Sequence, residues 1–87
     1  MATVFIPAMM QNLTGGVTQL QIDANTVRAI LNTLEERFPG FKDRLLQDGQ
    51  LRPDIAVAVD GEFAVDLIER VHPDSEVHFV PPISGGR

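Results

Sequence analysis

One amphipathic helix pattern, the only long one in this chain of 87 residues, limits the folds open to it. Asp23, Asn25 and Thr26 offer oxygen atoms that can cap a helix N-terminus. The apolar residues that follow recur at helical spacing: Val27, Ile30, Leu31, Leu34 and Phe38. The positions between them are polar, and we expect them to face solvent: Arg28, Asn32, Glu35 and Glu36. A single helix cannot bury its own stripe, so β-strands must supply the opposing surface.

Two strand patterns precede the helix. Residues 3–6 are β-branched or aromatic and stop at Pro7, while residues 17–22 alternate polar and apolar side chains. Gly15 and Gly16 supply a turn, so we predict an antiparallel pair joined by a loop. Met9 and Met10 lie in that loop, where they either fill gaps in the core or contribute to a partner surface.

Further elements follow Pro39-Gly40, which ends the helix. Residues 41–46 predict a second short helical turn that ends at Asp48-Gly49, and residues 55–59 predict a strand with its large side chains inward. Asp60-Gly61 is a hairpin turn before a short return strand at Glu62-Phe63. Residues 66–71 connect this strand to a last strand at residues 76–80.

The order is therefore strand, strand, helix, strand, short strand, strand. If the last strand lies parallel to the first, the fold is an α+β β-grasp, with a mixed sheet of four to five strands and one main helix on one face. The chain has room for one domain, residues 1–87, of which we expect residues 81–87 to be a flexible C-terminal tail.

That tail contains two conformationally restricted prolines and two glycines, which have no side chain. Pro81 and Pro82 end the last strand and stiffen the exit from it. Gly85 and Gly86 have no side chains, so this segment can lie extended in a channel too narrow for other residues. A terminus of this kind is suited to reaching the active site of another protein.

Composition excludes several classes of function. The net charge is -5 and Lys42 is the only lysine, so we expect neither nucleic acid nor a membrane surface as a partner. No cysteine is present, which removes thiol chemistry on side chains. We find no signal peptide and no apolar run long enough to span a membrane, and we therefore expect a cytoplasmic protein.

Other possible sites give weaker signals. His72 and His78 have uneven spacing and no matched ligand cluster, so we expect surface histidines and no metal site. Glu35 and Glu36 point in different directions on a helix and cannot share a proton. We expect the aromatic residues to lie in the core: Phe5, Phe38, Phe41, Phe63 and Phe79. Phe79 is the one for which contact with a partner is an alternative.

The chain resembles the ubiquitin-like sulfur carriers over nearly its whole length. Residues 74–86 are similar to the terminal segment of the molybdopterin synthase small subunit. Earlier motifs are closer to the carriers of bacterial cysteine synthesis, namely Ile6-Pro7, residues 13–16, residues 37–41 and Arg44-Leu45. The family also includes the thiazole-forming carrier.

The resemblance implies a carrier or cosubstrate protein rather than an enzyme, although one able to act as the small subunit of a synthase complex. Gly86 would be adenylated by a partner enzyme that uses ATP, and would then become a thiocarboxylate that passes its sulfur to a synthase. No cofactor would be bound by the chain itself. Gly85 would complete the reactive tail, and a partner groove would hold the residues before it: Phe79, Val80, Pro81, Pro82, Ile83 and Ser84.

Arg87 departs from the pattern of the family, in which the second glycine is the last residue. The resemblance therefore implies that a peptidase, for instance a metallopeptidase, first cleaves the bond between Gly86 and Arg87. Two other functions remain open: a protein modifier joined to lysines through Gly86, and an interaction module without chemistry. The sulfur acceptor also remains open among a molybdopterin precursor, an activated serine derivative, a thiazole intermediate, tRNA and a secondary-metabolite intermediate.

Overall fold

The apolar stripe forms helix α1 (Val27–Arg37) in a computed structural model that describes residues 1–53, 55–64 and 66–80. Thr26 is the N-cap, and its Oγ1 accepts a hydrogen bond of 3.1 Å from the backbone N–H of Ala29. The inward side chains of α1 are almost completely buried: Val27, Ile30, Leu31 and Leu34. Phe38, at the C-cap, is partly buried against the core. The predicted helix and its buried face are confirmed.

The helix packs on a five-stranded sheet. The strands are β1 (Ala2–Phe5), β2 (Gln19–Ile22), β5 (Ala56–Val59), β6 (Glu62–Phe63) and β7 (Glu76–Val80). Their order is β2-β1-β7-β5-β6. The β1–β7 pair is parallel and the other pairs are antiparallel, so the sheet is mixed and its last strand is central. The predicted β-grasp fold is confirmed.

Two elements between α1 and β5 differ from the prediction. Helix α2 (Phe41–Leu45) forms as expected, but Leu46 leaves it and begins a small hairpin of β3 (Leu46–Gln47) and β4 (Gln50–Leu51). Asp48 and Gly49 form its turn with φ of 56° and 79°, the left-handed conformation that a tight hairpin turn requires. The turn residues were recognised in the sequence, whereas the two-residue strands were too short to show alternation.

The boundaries of the first two strands also shift. β1 begins at Ala2 and ends at Phe5, and β2 begins at Gln19 because Val17 belongs to the preceding loop. In that loop, Met10 is buried and Met9 is exposed, so only Met10 fills a gap in the core.

The core lies between the sheet and α1. Val4, Val57 and Val77, from the three central strands, have no exposed surface. Phe41 of α2 is also fully buried, and its ring meets that of Phe79 edge to face at a centroid distance of 6.1 Å. Within the described ranges, no helix has the length and apolar character needed to cross a membrane.

Glu35 joins α1 to α2 and does not belong to the solvated face that we predicted for it. Its carboxylate accepts hydrogen bonds from the backbone N–H of Lys42 at 2.9 Å and of Gly40 at 3.1 Å. These bonds, that of Lys42 first, lower the pKa of Glu35 because they stabilise the ionised carboxylate. Glu36 is exposed, as the helical pattern predicts.

Replacement of a buried residue of α1 tests this description of the core. The side chain of Leu34 is 0% exposed, and we expect Leu34→Ala to lower the free energy of unfolding by about 2–5 kcal/mol through the cavity it leaves. Glu36→Ala on the exposed face is the matched control, with an expected change within about 0.5 kcal/mol. Urea denaturation followed by circular dichroism measures both. A loss for Leu34→Ala no larger than that of the control would contradict the packing.

Candidate functional site

The candidate site is the C-terminal end of β7, where the chain leaves the sheet. β7 is hydrogen-bonded on both sides: Thr3, Val4 and Phe5 of β1 lie opposite residues 76–78, and residues 56–59 of β5 lie opposite residues 77–80. The strand therefore has no free edge along most of its length. This pairing fixes the position at which any segment after Val80 begins.

Side chains of β7 alternate between the two faces of the sheet. Val77 and Phe79 point into the core, and Phe79 is only 5% exposed. His78 and Val80 are half-buried on the opposite face, which we call the open face because α1 does not cover it. The family resemblance implies that Phe79 and Val80 both contact a partner. Val80 is partly exposed to solvent and can do so, whereas the side chain of Phe79 is almost completely buried and belongs to the core.

The remaining residues of the predicted site are Pro81, Pro82, Ile83, Ser84, Gly85, Gly86 and Arg87. They lie outside the described residues. Their roles as a partner-binding segment, a reactive terminus and a processing site therefore stay predictions.

An aromatic row crosses the open face beside this end of β7. The strand register places Phe5, His78, Ala58 and Phe63 side by side on four neighbouring strands. The rings of Phe5 and His78 are stacked, with centroids 4.3 Å apart and planes within 4°. Phe63 is 67% exposed at the edge. The row thus gives the open face exposed aromatic surface, and aromatic residues are enriched at protein interfaces.

The prediction that the aromatic residues fill the core is wrong for Phe63, and Phe5 is only half-buried. Strand alternation could have found them. Phe5 lies between Val4 and Ile6, which point inward, so its own side chain must point to the other face. Phe63 pairs with Ala58, and Ala58 lies between the inward-pointing Val57 and Val59.

A hydrogen-bonded turn anchors the start of β7. Asp60 adopts a left-handed φ of 53° in the β5–β6 hairpin, and its carboxylate accepts from the backbone N–H of Glu76 at 2.9 Å and from the hydroxyl of Ser75 at 2.7 Å. Ser75 is 1% exposed, and its Oγ also accepts from the backbone N–H of His72. The Glu76 and Ser75 bonds lower the pKa of Asp60 because they favour its ionised form.

The two histidines are not brought together by the fold. His72 is exposed in the segment before β7, while Nε2 of His78 lies 3.6 Å from Oε1 of Glu76 at the surface. Among residues 1–53, 55–64 and 66–80, no group of three or more metal-binding side chains is present. The described part of the site is thus the aromatic row, which we call the platform, next to the paired end of β7.

These features define a class of protein. A helix laid over a mixed sheet whose last strand is central is the ubiquitin-like β-grasp fold, and here it carries an apolar platform beside the exit of that strand. The chain matches the family model described as "ThiS family" over residues 4–86, and it belongs to that family.

Individual relatives agree with this assignment. The chain is 31% identical to "Small archaeal modifier protein 3" of Haloferax volcanii over 74% of its length and 73% of the relative. It is 27% identical to "Sulfur carrier protein CysO" of Mycobacterium bovis over 97% of both chains. It also superimposes with a TM-score of 0.91 on a chain of the Amycolatopsis orientalis BexX/CysO complex, at 29% identity, covering 99% of this chain and 100% of that one. The fold and the recognised family are thereby confirmed.

Acidification tests the role of Asp60. A carboxylate whose pKa is lowered by folding contributes stability above its ordinary value of 3.8, and this contribution is lost as the pH falls through the folded-state pKa. Asparagine tolerates the left-handed turn but carries no charge. We therefore expect Asp60→Asn to be less stable than the wild type at pH 7 and the difference to shrink below pH 3.8.

Urea denaturation at several pH values measures this difference. Asp74→Asn, at an exposed aspartate near β7, is the matched control for the loss of a surface carboxylate. A stability difference between Asp60→Asn and the wild type that stays constant with pH would show that the charge of Asp60 does not stabilise the turn.

Proposed function

We propose that this protein is a sulfur carrier whose diglycine is adenylated by a partner enzyme and converted to a thiocarboxylate. The sulfur is then donated in the biosynthesis of cysteine, molybdopterin or a secondary metabolite. The observation that carries the proposal is the position of β7, a central strand that leads directly into the tail. The family match that runs through Gly86 supports it.

The reaction needs a carboxylate with no side chain beside it. An oxygen of the Gly86 carboxylate attacks the α-phosphorus of ATP, pyrophosphate leaves, and a sulfur nucleophile then displaces AMP to leave a C–S bond. The partner supplies the ATP site and the catalytic groups, and this chain supplies the terminus as a cosubstrate. Since the activation consumes ATP, we place the protein in the cytoplasm.

Arg87 must leave before this reaction. Hydrolysis of the Gly86–Arg87 peptide bond by a processing peptidase, for which we propose a metallopeptidase, frees the Gly86 carboxylate. Until then the carbonyl carbon of Gly86 belongs to an amide, which has no carboxylate oxygen to attack ATP.

The open face supplies a docking surface for the activating partner. The aromatic row of Phe5, His78, Ala58 and Phe63 crosses β1, β7, β5 and β6, and His78 precedes the last described residue, Val80, by two positions. A partner seated there would receive the tail at a fixed distance. The similarity to a chain of the BexX/CysO complex supports a protein partner for this fold.

Protein modification is a second candidate, favoured by the similarity to a small archaeal modifier protein. The same acyl-adenylate of Gly86 would then be attacked by the amine of a target lysine, with AMP as the leaving group. The two functions share the activation step and differ in the nucleophile. Immunoblots of cells distinguish them, because high-mass adducts that depend on Gly86 appear only with modification.

Mass spectrometry tests the carrier directly. Protein ending at Gly86, incubated with its adenylating enzyme, ATP and sulfide, should gain the mass difference between one sulfur and one oxygen atom. Matched controls are the chain that retains Arg87 and a chain ending at Ser84, neither of which should change. The absence of this gain with every cognate adenylating enzyme would overturn the carrier function, and normal pathway activity without Gly85 and Gly86 would indicate an interaction module.

Substitution of the platform tests the docking surface. Phe63 is 67% exposed, so Phe63→Ser should leave the fold intact while raising the KM for adenylation roughly tenfold and leaving kcat unchanged. Met9→Ser, at an apolar residue 52% exposed outside the row, is the matched control and should leave both constants unchanged. Steady-state kinetics of pyrophosphate release measures both variants, and an unchanged KM for Phe63→Ser would place the partner elsewhere.

A further inference from the structure

Two hairpin turns of the chain have the same sequence and the same backbone conformation. Asp48-Gly49 joins β3 to β4, and Asp60-Gly61 joins β5 to β6. The φ angles are 56° and 79° in the first turn and 53° and 85° in the second. No other aspartate of the chain is followed by glycine. The two turns are therefore a matched pair in which the dipeptide is constant and only its surroundings differ.

An Asp-Gly dipeptide can rearrange without an enzyme. The backbone nitrogen of the glycine attacks Cγ of the aspartate, a C–N bond forms, and the side-chain carboxyl group leaves as water to give a cyclic succinimide. Glycine favours this attack because no side chain obstructs its nitrogen. Water then reopens the ring. Cleavage of its bond to the backbone carbonyl carbon leaves isoaspartate, in which the chain runs through the side-chain carbonyl and the α-carboxylate is free.

Ring closure requires the turn to open first. Positive φ at both central residues is typical of type I′ turns, whose flanking residues are hydrogen-bonded to each other. The glycine nitrogen reaches Cγ only after rotation about the Cα–C bond of the aspartate, which the closed turn does not permit. The rate therefore depends on the free energy of local opening, which differs between regions of one protein.

The Asp60 turn is tied to the start of β7 by three hydrogen bonds. The backbone N–H of Asp60 donates to the carbonyl of Glu76 at 2.9 Å. Its carboxylate accepts from the backbone N–H of Glu76 at 2.9 Å and from Oγ of Ser75 at 2.7 Å. The bonds to the carboxylate also lower the pKa of Asp60, and an ionised carboxylate is a poorer electrophile than a neutral carboxyl group. This turn is thus protected in two ways.

The Asp48 turn has no comparable support. The β3–β4 hairpin forms its own two-stranded sheet, and all four residues at its tip, 47–50, are exposed. Its contacts with the core are made by Leu46 and Leu51, behind the tip. Within the described ranges, the carboxylate of Asp48 accepts no hydrogen bond and makes no ion pair. Opening of the tip therefore exposes little buried apolar surface.

We propose that Asp48-Gly49 is a site of spontaneous isoaspartate formation in the folded protein, whereas Asp60-Gly61 is protected by the fold. The product is a substrate for a carboxyl methyltransferase, which moves a methyl group from a sulfonium donor to the free α-carboxylate and releases a thioether. The exposed tip gives such an enzyme access to residue 48. This modification does not involve the tail or the open face, so it goes beyond the proposed function.

Ageing of the full-length protein tests the proposal. The protein is incubated for several weeks at neutral pH, folded or unfolded in urea, and isoaspartate at each site is measured by electron-transfer fragmentation of its peptides. In the folded protein we expect roughly tenfold more isoaspartate at residue 48 than at residue 60, because only the Asp48 turn opens readily. In urea the two sites should react at comparable rates. The same ratio in both states, or protection of both sites by folding, would overturn the proposal.

Two variants locate the causes. Ser75→Ala removes one hydrogen bond to the Asp60 carboxylate and should raise isoaspartate at residue 60 without a change at residue 48. Asp48→Ser should abolish methyl transfer to the aged, folded protein by a protein isoaspartate methyltransferase supplied with labelled S-adenosylmethionine. Labelling of Asp48→Ser equal to that of the wild type would show that the site lies elsewhere. Circular dichroism verifies folding, and if Ser75→Ala unfolds, the comparison of folded and urea-treated wild type decides alone.

Discussion

The pairing of β7 with β1 and β5 is the constraint on which the rest of the structure depends. β7 is the last strand in sequence and the middle strand in space, so the sheet is continuous only when β7 is in place. Its inward residues, Val77 and Phe79, complete the core beneath α1 and α2. The same five residues, Glu76–Val80, thus complete the core and come directly before the segment in which we propose the reactive terminus.

Because side chains of β7 alternate between the two faces of the sheet, one strand contributes both to the core and to the open face. Val77 and Phe79 contribute buried apolar area, the main favourable contribution to folding, while His78 belongs to the platform on the other face and Val80 lies beside it. Substitution on the open face can therefore alter recognition at little cost in stability. The same reasoning applies to β1, where Val4 is buried and Phe5 is half-buried beside His78.

Sequence patterns predicted the larger elements because these depend on local signals. The helical spacing from Val27, the Asp60-Gly61 turn and the alternation of residues 76–80 each point to one conformation, and all three are confirmed. The resemblance to sulfur carriers led to the family, which is also confirmed. Residue spacing alone would not have suggested the reactive terminus that we propose, since seven residues of a chain end carry little information about structure.

Features that depend on contacts between distant segments could not be predicted from the sequence. The row from Phe5 to Phe63 requires the register of four strands, and the hydrogen bonds of Glu35 require the position of the turn at Gly40. Two cavities beside α1 are lined by residues of α1, α2, the β3–β4 hairpin and residues 66–68, which are separate segments of the sequence. In each case the side chains were visible in the sequence, but their neighbours were not.

The central position of β7 also has a mechanical consequence. A force applied to Val80 along the axis of β7 acts on backbone hydrogen bonds to β1 and β5 that run roughly across that axis on both sides. Such a load is shared among these bonds at once, in shear, instead of opening them one after another. A pull along the axis of β7 should therefore meet more resistance than a pull that separates an edge strand from the sheet one hydrogen bond at a time.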